Sequence, residues 1–543
     1  MSLVRATVRN GRWAVDVVDA AGVPRSLEAR FAGNARLFDY PVDARKAWRL
    51  ELDKSETAAS PDERDQVRAF VTACISDPGK PHVAEAWSGP TFRQAAVLEL
   101  LARGQPVFGA ARLKILQRWR FAAASLIATA TLLASAVRAS FERSDSLPPG
   151  QPWVAIFGDD ATRDRLLLRA LAMAPGKGPL PVLLVGRPRA GIRAVRHQLQ
   201  NFQDRSYLVC RPSGLLSLLG AIPSIMRALG QGVSELDSAV AQPSTKELAG
   251  IAFRVFSGYV AAQWQRRHAS PSAVIYSQTG LADVSLLELE QQRLGATTMH
   301  LVHGVSLGRN FIGFSDVAIF QCRHDASWHA LMGGYSRCTH AALAPTPHIA
   351  EGEGWLLMSN LIHTMNPEYL RRGAAPELEL LSAVAACAKS EGMPASEVTW
   401  KPHPSFAGQP AAIRSEVLAH VDALGFRHWP QDTGIEHAKR FRVILSTRST
   451  VLLDLLRMGK LGILVDLSTS PTDRTATSLM PLVARDQQQL LSCVGSTART
   501  EFFHAAYLKA WQDIGPGRTD LSLDQILEFV GNDAGAAITR MQP

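Results

Sequence analysis

Val398–Thr399–Trp400–Lys401–Pro402–His403–Pro404, answered by Val443–Ile444–Leu445 and then Ser446–Thr447–Arg448–Ser449–Thr450, is the part of the chain that decides the fold. Each piece is a short apolar run of β character that ends in a polar cluster. The second also opens an amphipathic helix, Val451–Leu456, leading to another strand, Leu461–Val465. Strand, loop, helix and strand is the rhythm of an open α/β sheet, in which loops after the strands gather at one ligand-binding crevice. A hydroxyl-rich helix start offers backbone N–H groups and a positive dipole end, which suit a phosphate. Lys401 and His403 supply a cation and a ring donor at the next strand end, and the Arg448 guanidinium can bridge two oxygens. The pattern predicts a nucleotide-phosphate site of Lys401, His403, Pro404, Ser446, Arg448, Ser449 and Thr450. Asp454, on the helix, is placed either for a ribose hydroxyl or for pairing with Arg457.

The same rhythm begins near Trp153. Strands are expected at Trp153–Phe157, Pro181–Gly186, Tyr207–Cys210, Ala273–Tyr276, Thr298–Val302 and Val317–Phe320, with helices between them. A second run starts at Trp355–Met358. Between the two, Leu343–Gly354 carries Pro345, Pro347 and two glycines and reads as a hinge. Residues 1–149 differ: a strand pair around Asn10–Gly11, a continuation at Arg25–Phe38, and helices at Pro61–Cys74 and Thr91–Ala102. The expected architecture is α/β, with two Rossmann-like domains facing a cleft (150–345 and 346–543, the latter with terminal helices) behind an accessory α+β region, 1–149.

A chain of 543 residues with 46% hydrophobic and 20% charged residues is an ordinary globular composition with room for several cores. The surplus of 58 Lys+Arg over 49 Asp+Glu is concentrated between Ala161 and Arg211, which favours an anionic partner. Few aromatics are interleaved there (Phe202, Tyr207), so nucleic acid is not the expected partner. The six cysteines are scattered with no CxxC pair, which predicts buried free thiols in a reducing compartment. Met1–Asn10 has no apolar core of signal-peptide length, and a cytoplasmic location follows as the expectation. Phe121–Val137 is uncharged between Arg120 and Arg138. Leu126, Ala130, Leu133, Ala134 and Val137 share one stripe, which predicts a packing helix, with contact to an anionic membrane surface through the basic run, or a transmembrane span, as the alternatives.

In the first half, His303–Gly304 ends a β-like run (His300–Val305), and a histidine there can serve as base or phosphate donor near neutrality. His300, three residues earlier, reads as buried packing. The loop after Ala273–Tyr276 brings Gln278, Thr279 and Asp283 to the crevice, Asp283 being both a catalytic-carboxylate and a helix-cap candidate. Gly158–Asp159–Asp160 reads as a solvated or capping turn. No HExxH, GxxxxGK[ST] or spaced Cys/His set is present, and neither a metal nor a cofactor is expected.

The pairing of Lys401–Pro404 with Ser449–Thr450 resembles bacterial GT-B glycosyltransferases of surface-polysaccharide synthesis. These include polysialyltransferases, capsule Kdo transferases and CDP-glycerol glycerophosphotransferases. The resemblance covers roughly residues 150–515. It implies that His403 and the Ser449 and Thr450 hydroxyls bind donor phosphate. It further implies that His303 lines the acceptor side and that Asp283 is the base or nucleophile. The chain departs from the sialyltransferase pattern in that Asp283 precedes Val284, not glycine. The implied activity is transfer from a nucleotide-activated sugar, CMP-linked by preference, to a growing surface glycan or lipid-linked acceptor, peripheral on the inner membrane. The alternatives are a CDP-activated polyol-phosphate transferase and an inactive scaffold of the same fold.

Overall fold

The computed structural model describes residues 2–18, 61–86, 96–97, 99–100, 103–107, 110–142, 144–158, 161–173, 178–186, 192–200, 206–238, 245–302, 314–332, 335–361, 372–430, 433–447, 449–467, 480–497, 500–531 and 538–539. The expectations at Arg25–Phe38, Asp159–Asp160, His303–Gly304 and Arg448, and most of Thr91–Ala102, fall outside them.

The accessory region opens with a hairpin, β1 (Ser2–Arg9) and β2 (Arg12–Val18). Its turn residues Asn10 and Gly11 both take positive φ, 51° and 71°, as a two-residue turn that follows the twist of its strands requires. After α1 (Pro61–Ser76), β3 (His82–Ala86) pairs with the other edge of β1. A 32-residue helix, α2 (Ala110–Phe141), then leads into the first α/β domain.

That domain alternates β4 (Trp153–Ile156), α3 (Ala161–Ala172), β5 (Leu180–Leu184), α4 (Ile192–Gln200) and β6 (Tyr207–Cys210). Two long helices follow, α5 (Leu215–Ser238) and α6 (Thr245–Gln265). Next come β7 (Ala273–Tyr276), α7 (Ala282–Arg293), β8 (Thr297–Leu301), β9 (Val317–Phe320), α8 (Arg323–Met332) and β10 (Arg337–His340). The sheet order is β17-β10-β9-β8-β7-β4-β5-β6, parallel except for the last strand of the chain, β17 (Ile538–Thr539). Runs such as Trp153–Ile156 and Ala273–Tyr276 are buried at every position, because helices cover both faces of a parallel sheet.

The second domain holds β11 (Trp355–Ser359), α9 (Ala375–Ser390), β12 (Val398–Pro402), α10 (Ala411–Leu424), β13 (Arg427–His428) and β14 (Val443–Ser446). After these come α11 (Val451–Arg457), β15 (Ile463–Val465), β16 (Val483–Ala484), α12 (Gln487–Ser496) and α13 (Thr500–Ile514). Its all-parallel order is β13-β12-β11-β14-β15-β16. In each domain the first strand, β4 or β11, lies between its second and fourth strands. This is the doubly wound Rossmann order, and its switch point is where ligands collect. Two such domains behind an accessory α+β region make up the expected GT-B class of architecture.

Three expectations need correction. First, the terminal helices do not all belong to the second domain. The chain crosses back at Pro516–Arg518, which bonds to Gln321, Ala341 and Leu343, and Leu521, Leu523 and Ile526 are buried in the first domain's core around α14 (Leu523–Gly531). Second, the basic surplus near Ala161–Arg211 is partly internal: Arg196 pairs with Asp145 at 2.5 Å and Arg211 with Glu142 at 3.1 Å. Those pairs pin the end of α2 and the following linker to the β6 edge. Third, α2 packs, but by the face opposite to the expected stripe. Phe121, Ala124, Ala128 and Leu132 join Ala221, Ile225 and residues of α6 in one core, whereas Leu126 is 73% and Leu133 50% exposed. All six cysteines are free, and five of them are buried.

Candidate active site

The second domain's switch point lies between β11 and β14. Met358 on β11 is level with Lys401 on one side and Ser446 on the other. With strands about 4.8 Å apart, the two polar clusters emerge from the same sheet end with a single strand between them. Three loops meet there. The His403 N–H donates to the Ser359 carbonyl at 2.9 Å, drawing in the loop after β12. Thr447 N–H donates to the Met358 carbonyl at 3.0 Å. The Thr447 hydroxyl donates to Asn360 Oδ1 at 2.7 Å and accepts the Asn360 N–H at 2.9 Å.

Behind this junction sits a buried carboxyl. Glu377, in the first turn of α9, accepts from Ser359 Oγ and from Trp400 Nε1, the latter at 3.2 Å. Trp400 Nε1 also donates to Ser359 Oγ at 2.9 Å. Burial pushes the Glu377 carboxyl above the usual range, against the stabilising pull of these donors. The carboxyl thus ties the ends of β11 and β12 to the start of a helix.

Not every predicted donor residue turns toward the junction. His403 and Ser449 are half-buried, and Thr450 is exposed. Thr450 caps α11 in helical backbone geometry without a side-chain cap bond. Pro404 opens a short 3₁₀ turn, Pro404–Gly408, whose Phe406 packs edge-on against Trp400. Ser446, by contrast, is the fully buried last residue of β14, and its hydroxyl donates to the Thr447 carbonyl at 2.8 Å. It builds the turn and presents nothing to a ligand. Lys401 leans the other way, its ammonium 5.6 Å from the centroid of the Trp429 ring beyond β13. Burial holds its pKa below the ordinary lysine value. It faces away from the β14 loop and does not close the anion cradle there.

Asp454 pairs with Arg457 at 2.8 Å, the second of the two roles read for it. Arg457 reaches back to the first domain, donating to the Gly517 carbonyl at 2.8 Å and the Gln321 carbonyl at 2.9 Å. The helix α11 has seven residues, one more than the run Val451–Leu456 read from the sequence.

The first domain has a matching switch point between β4 and β7. Asp164 of α3 accepts from the N–H groups of Phe157 (3.0 Å) and Gly158 (2.8 Å) and from Ser277 Oγ (2.6 Å). One buried carboxylate therefore joins the loops after β4 and β7. In the second of these loops Gln278 is half-buried and Thr279 buried, and the Gly280 N–H donates to Ser285 Oγ at 2.9 Å. Asp283 lies in the first turn of α7 and is 5% exposed. It is not the helix cap: Leu281 holds that position and makes no side-chain cap bond.

Beneath this loop a buried polar layer continues. Tyr276 donates to Gln291, and Gln291 donates to Gln265 at 3.0 Å. His300 Nδ1 meets the Tyr335 hydroxyl at 2.8 Å, which fits the packing role read for it. Ser315 donates to Glu288, whose carboxyl burial pushes up to about 8. A cavity of about 440 Å³ lined by Gln292, Asp316 and Arg337 lies at the opposite, N-terminal end of the strands and takes no part in this crevice.

Sequence reasoning missed Ser359, Asn360, Glu377, Thr447 as a clasp, and Asp164. The available signal was a polar pair, Ser359–Asn360, directly after the buried run Trp355–Met358.

No family model matches the chain, and no curated protein matches it. Among solved structures it is similar to Staphylococcus aureus MnaA in complex with UDP (12% identity, TM-score 0.40), over 70% of this chain and 96% of that one. It is also similar to Acinetobacter baumannii MurG (10% identity, TM-score 0.37), over 71% and 99%. A third is the UDP-GlcNAc 2-epimerase of Neisseria meningitidis bound to UDP-GlcNAc (9% identity, TM-score 0.34), over 71% and 98%.

Proposed function

We propose that the protein is a glycosyltransferase that moves a sugar from a nucleotide-activated donor to a surface glycan or lipid-linked acceptor at the cytoplasmic face of a membrane. The supporting observation is the junction of three loops at the second switch point, clasped by Thr447–Asn360 and by the His403 N–H on Ser359. On this reading the His403 ring and the Ser449 and Thr450 hydroxyls bind the leaving phosphate, as the motif resemblance implies.

Breaking the sugar–phosphate bond puts charge on phosphate oxygens, and preorganised donors stabilise that charge. Loss of one such donor raises the barrier by roughly 2.7–4 kcal/mol. The acceptor hydroxyl gives up its proton to a base, for which Asp283 and His303 are the candidates. A CMP-linked donor is preferred on the motif resemblance.

Saturation-transfer NMR with CMP-, CDP- and UDP-sugars tests the reading. It expects transfer to one nucleotide class and its loss in His403→Ala. Absence of any nucleotide signal from the folded protein would overturn it.

A further inference from the structure

Of the 19 large hydrophobic side chains exposed among the described residues, 12 lie on α2 and α5, so the apolar surface is concentrated there. On α2, Trp119 (72%), Leu126 (73%), Leu133 and Phe141 (87%) form a stripe along the whole helix. On α5, Leu216 (72%) and Met226 (62%) belong to a second one. The two helices share one buried core, and the Ser140 hydroxyl accepts the Leu215 N–H at 3.2 Å, so the end of one stripe meets the start of the other. Apolar patches of this extent mark interaction surfaces.

Charge identifies the partner. α2 carries basic residues and no acidic one from Ala110 to Phe141, and α5 has none before Glu235. Arg118, Arg138 and Arg227 are exposed around the stripes. Arg138 and Arg211 share the single carboxylate of Glu142, which leaves the joint between the helices positive. A two-fold contact with a second copy would bring these arginines together. An anionic lipid surface receives both the apolar stripe and its basic border.

We propose that this face of α2 and α5 docks on an anionic phospholipid bilayer, with both helices lying in the plane of its surface. Residues Arg118–Phe141 are long and apolar enough to cross a membrane. However, Phe121, Ala124, Ala128, Leu132 and Ala136 of α2 are at most 4% exposed against the protein, and spanning would strip that face from its core. The same core contains Ala282, and Gly258 of α6 sits so close to the Ala282 carbonyl that a Cβ would lie 2.3 Å from it. The docked layer therefore packs against the start of α7, whose first turn holds Asp283. The inference needs no step of the proposed reaction, and its test uses lipid alone.

Full-length protein is floated with phosphatidylcholine vesicles with and without phosphatidylglycerol, at low and high salt. Flotation is expected only with phosphatidylglycerol, weakened by salt and released by alkaline carbonate. Leu126→Asp with Leu133→Asp, and independently Leu216→Asp, are each expected to lower the bound fraction roughly tenfold. Arg118→Glu with Arg227→Glu is expected to abolish the phosphatidylglycerol dependence. Melting followed by circular dichroism selects the variants that keep the wild-type fold. No flotation of wild type, flotation unchanged in folded face variants, carbonate-resistant insertion, or a face-dependent dimer by light scattering would each overturn the proposal.

Discussion

The Thr447 hydroxyl donates to Asn360 Oδ1 at 2.7 Å while accepting the Asn360 N–H at 2.9 Å, across 87 residues of chain. One side chain thus fixes the loop after β14 to the loop after β11, where the strand order reverses. Thr447 is 2% exposed, so valine fits its space without the hydroxyl. Stranding buried polar partners costs about 1–3 kcal/mol. Thr447→Val is expected to weaken donor-nucleotide binding about tenfold by calorimetry, with Thr447→Ser close to wild type. Equal affinity in Val and wild type would remove the clasp from the binding site.

Asp164 makes the corresponding connection in the first domain, and its acceptor count matters more than its charge alone. Asparagine would turn an N–H₂ group toward the Phe157 and Gly158 amides or the Ser277 hydroxyl that the carboxylate now accepts from. Asp164→Asn is expected to destabilise the protein by about 2–3 kcal/mol in urea unfolding, because bonds to a charged group are lost and a buried donor is left facing donors. A change below about 0.5 kcal/mol, the range of neutral surface substitutions, would contradict this.

Strand ends were legible in the sequence wherever a buried run stops at a polar residue, as at Trp400–His403 and Leu445–Ser449. Burial on both faces leaves a continuous apolar signature, and the next residues must emerge at the crevice. The direction of individual side chains was not legible. Ser446 and Ser449 look equivalent in sequence, but only the strand register shows that the first is buried. The Lys401 ammonium is drawn to Trp429, a partner on a different loop. Glu377 and Asp164 sit on helices with no local motif, and their role comes from what they meet across the fold. The stripe on α2 was visible, yet periodicity does not say which of two apolar faces is covered. The return of Leu521–Ile526 to the first core depends on contacts hundreds of residues apart, beyond any local pattern.

Glu288 gives the protein a defined pH response. Burial raises its carboxyl from the ordinary 4.5 to about 8, with the Ser315 hydroxyl bond opposing the shift. The folded protein therefore holds a proton that the unfolded chain releases. Stability from this group is full below the unfolded value and is lost as pH rises toward about 8. Thermal melts are expected to fall in midpoint between about pH 5 and pH 8, with Glu288→Gln flattening that slope while still accepting from Ser315. An unchanged slope in the glutamine variant would assign the response to other groups.

Arg457 couples the two domains, and its contacts separate binding from turnover. The guanidinium is held by Asp454 at 2.8 Å and donates to the carbonyls of Gln321 and Gly517, next to the paired crossing segments at Ala341–Leu343 and Pro516–Arg518. The expected hinge is itself fastened to the second domain: Ile349 N–H donates to the Gly459 carbonyl at 2.7 Å, and Thr346 Oγ1 to the Arg457 carbonyl at 2.9 Å. Bending between the domains is thereby confined to the residues before Thr346 and to the return segment, both next to the Arg457 fork. Lysine keeps the charge but cannot reach two carbonyls and a carboxylate at once. In Arg457→Lys, nucleotide affinity is expected to stay within about twofold, because the β11–β14 junction is untouched, while turnover falls about tenfold as the domains lose their fixed geometry. Small-angle scattering should show a broader distribution of interdomain distances. A variant with wild-type turnover and scattering would mean that the paired crossing segments alone set the domain geometry.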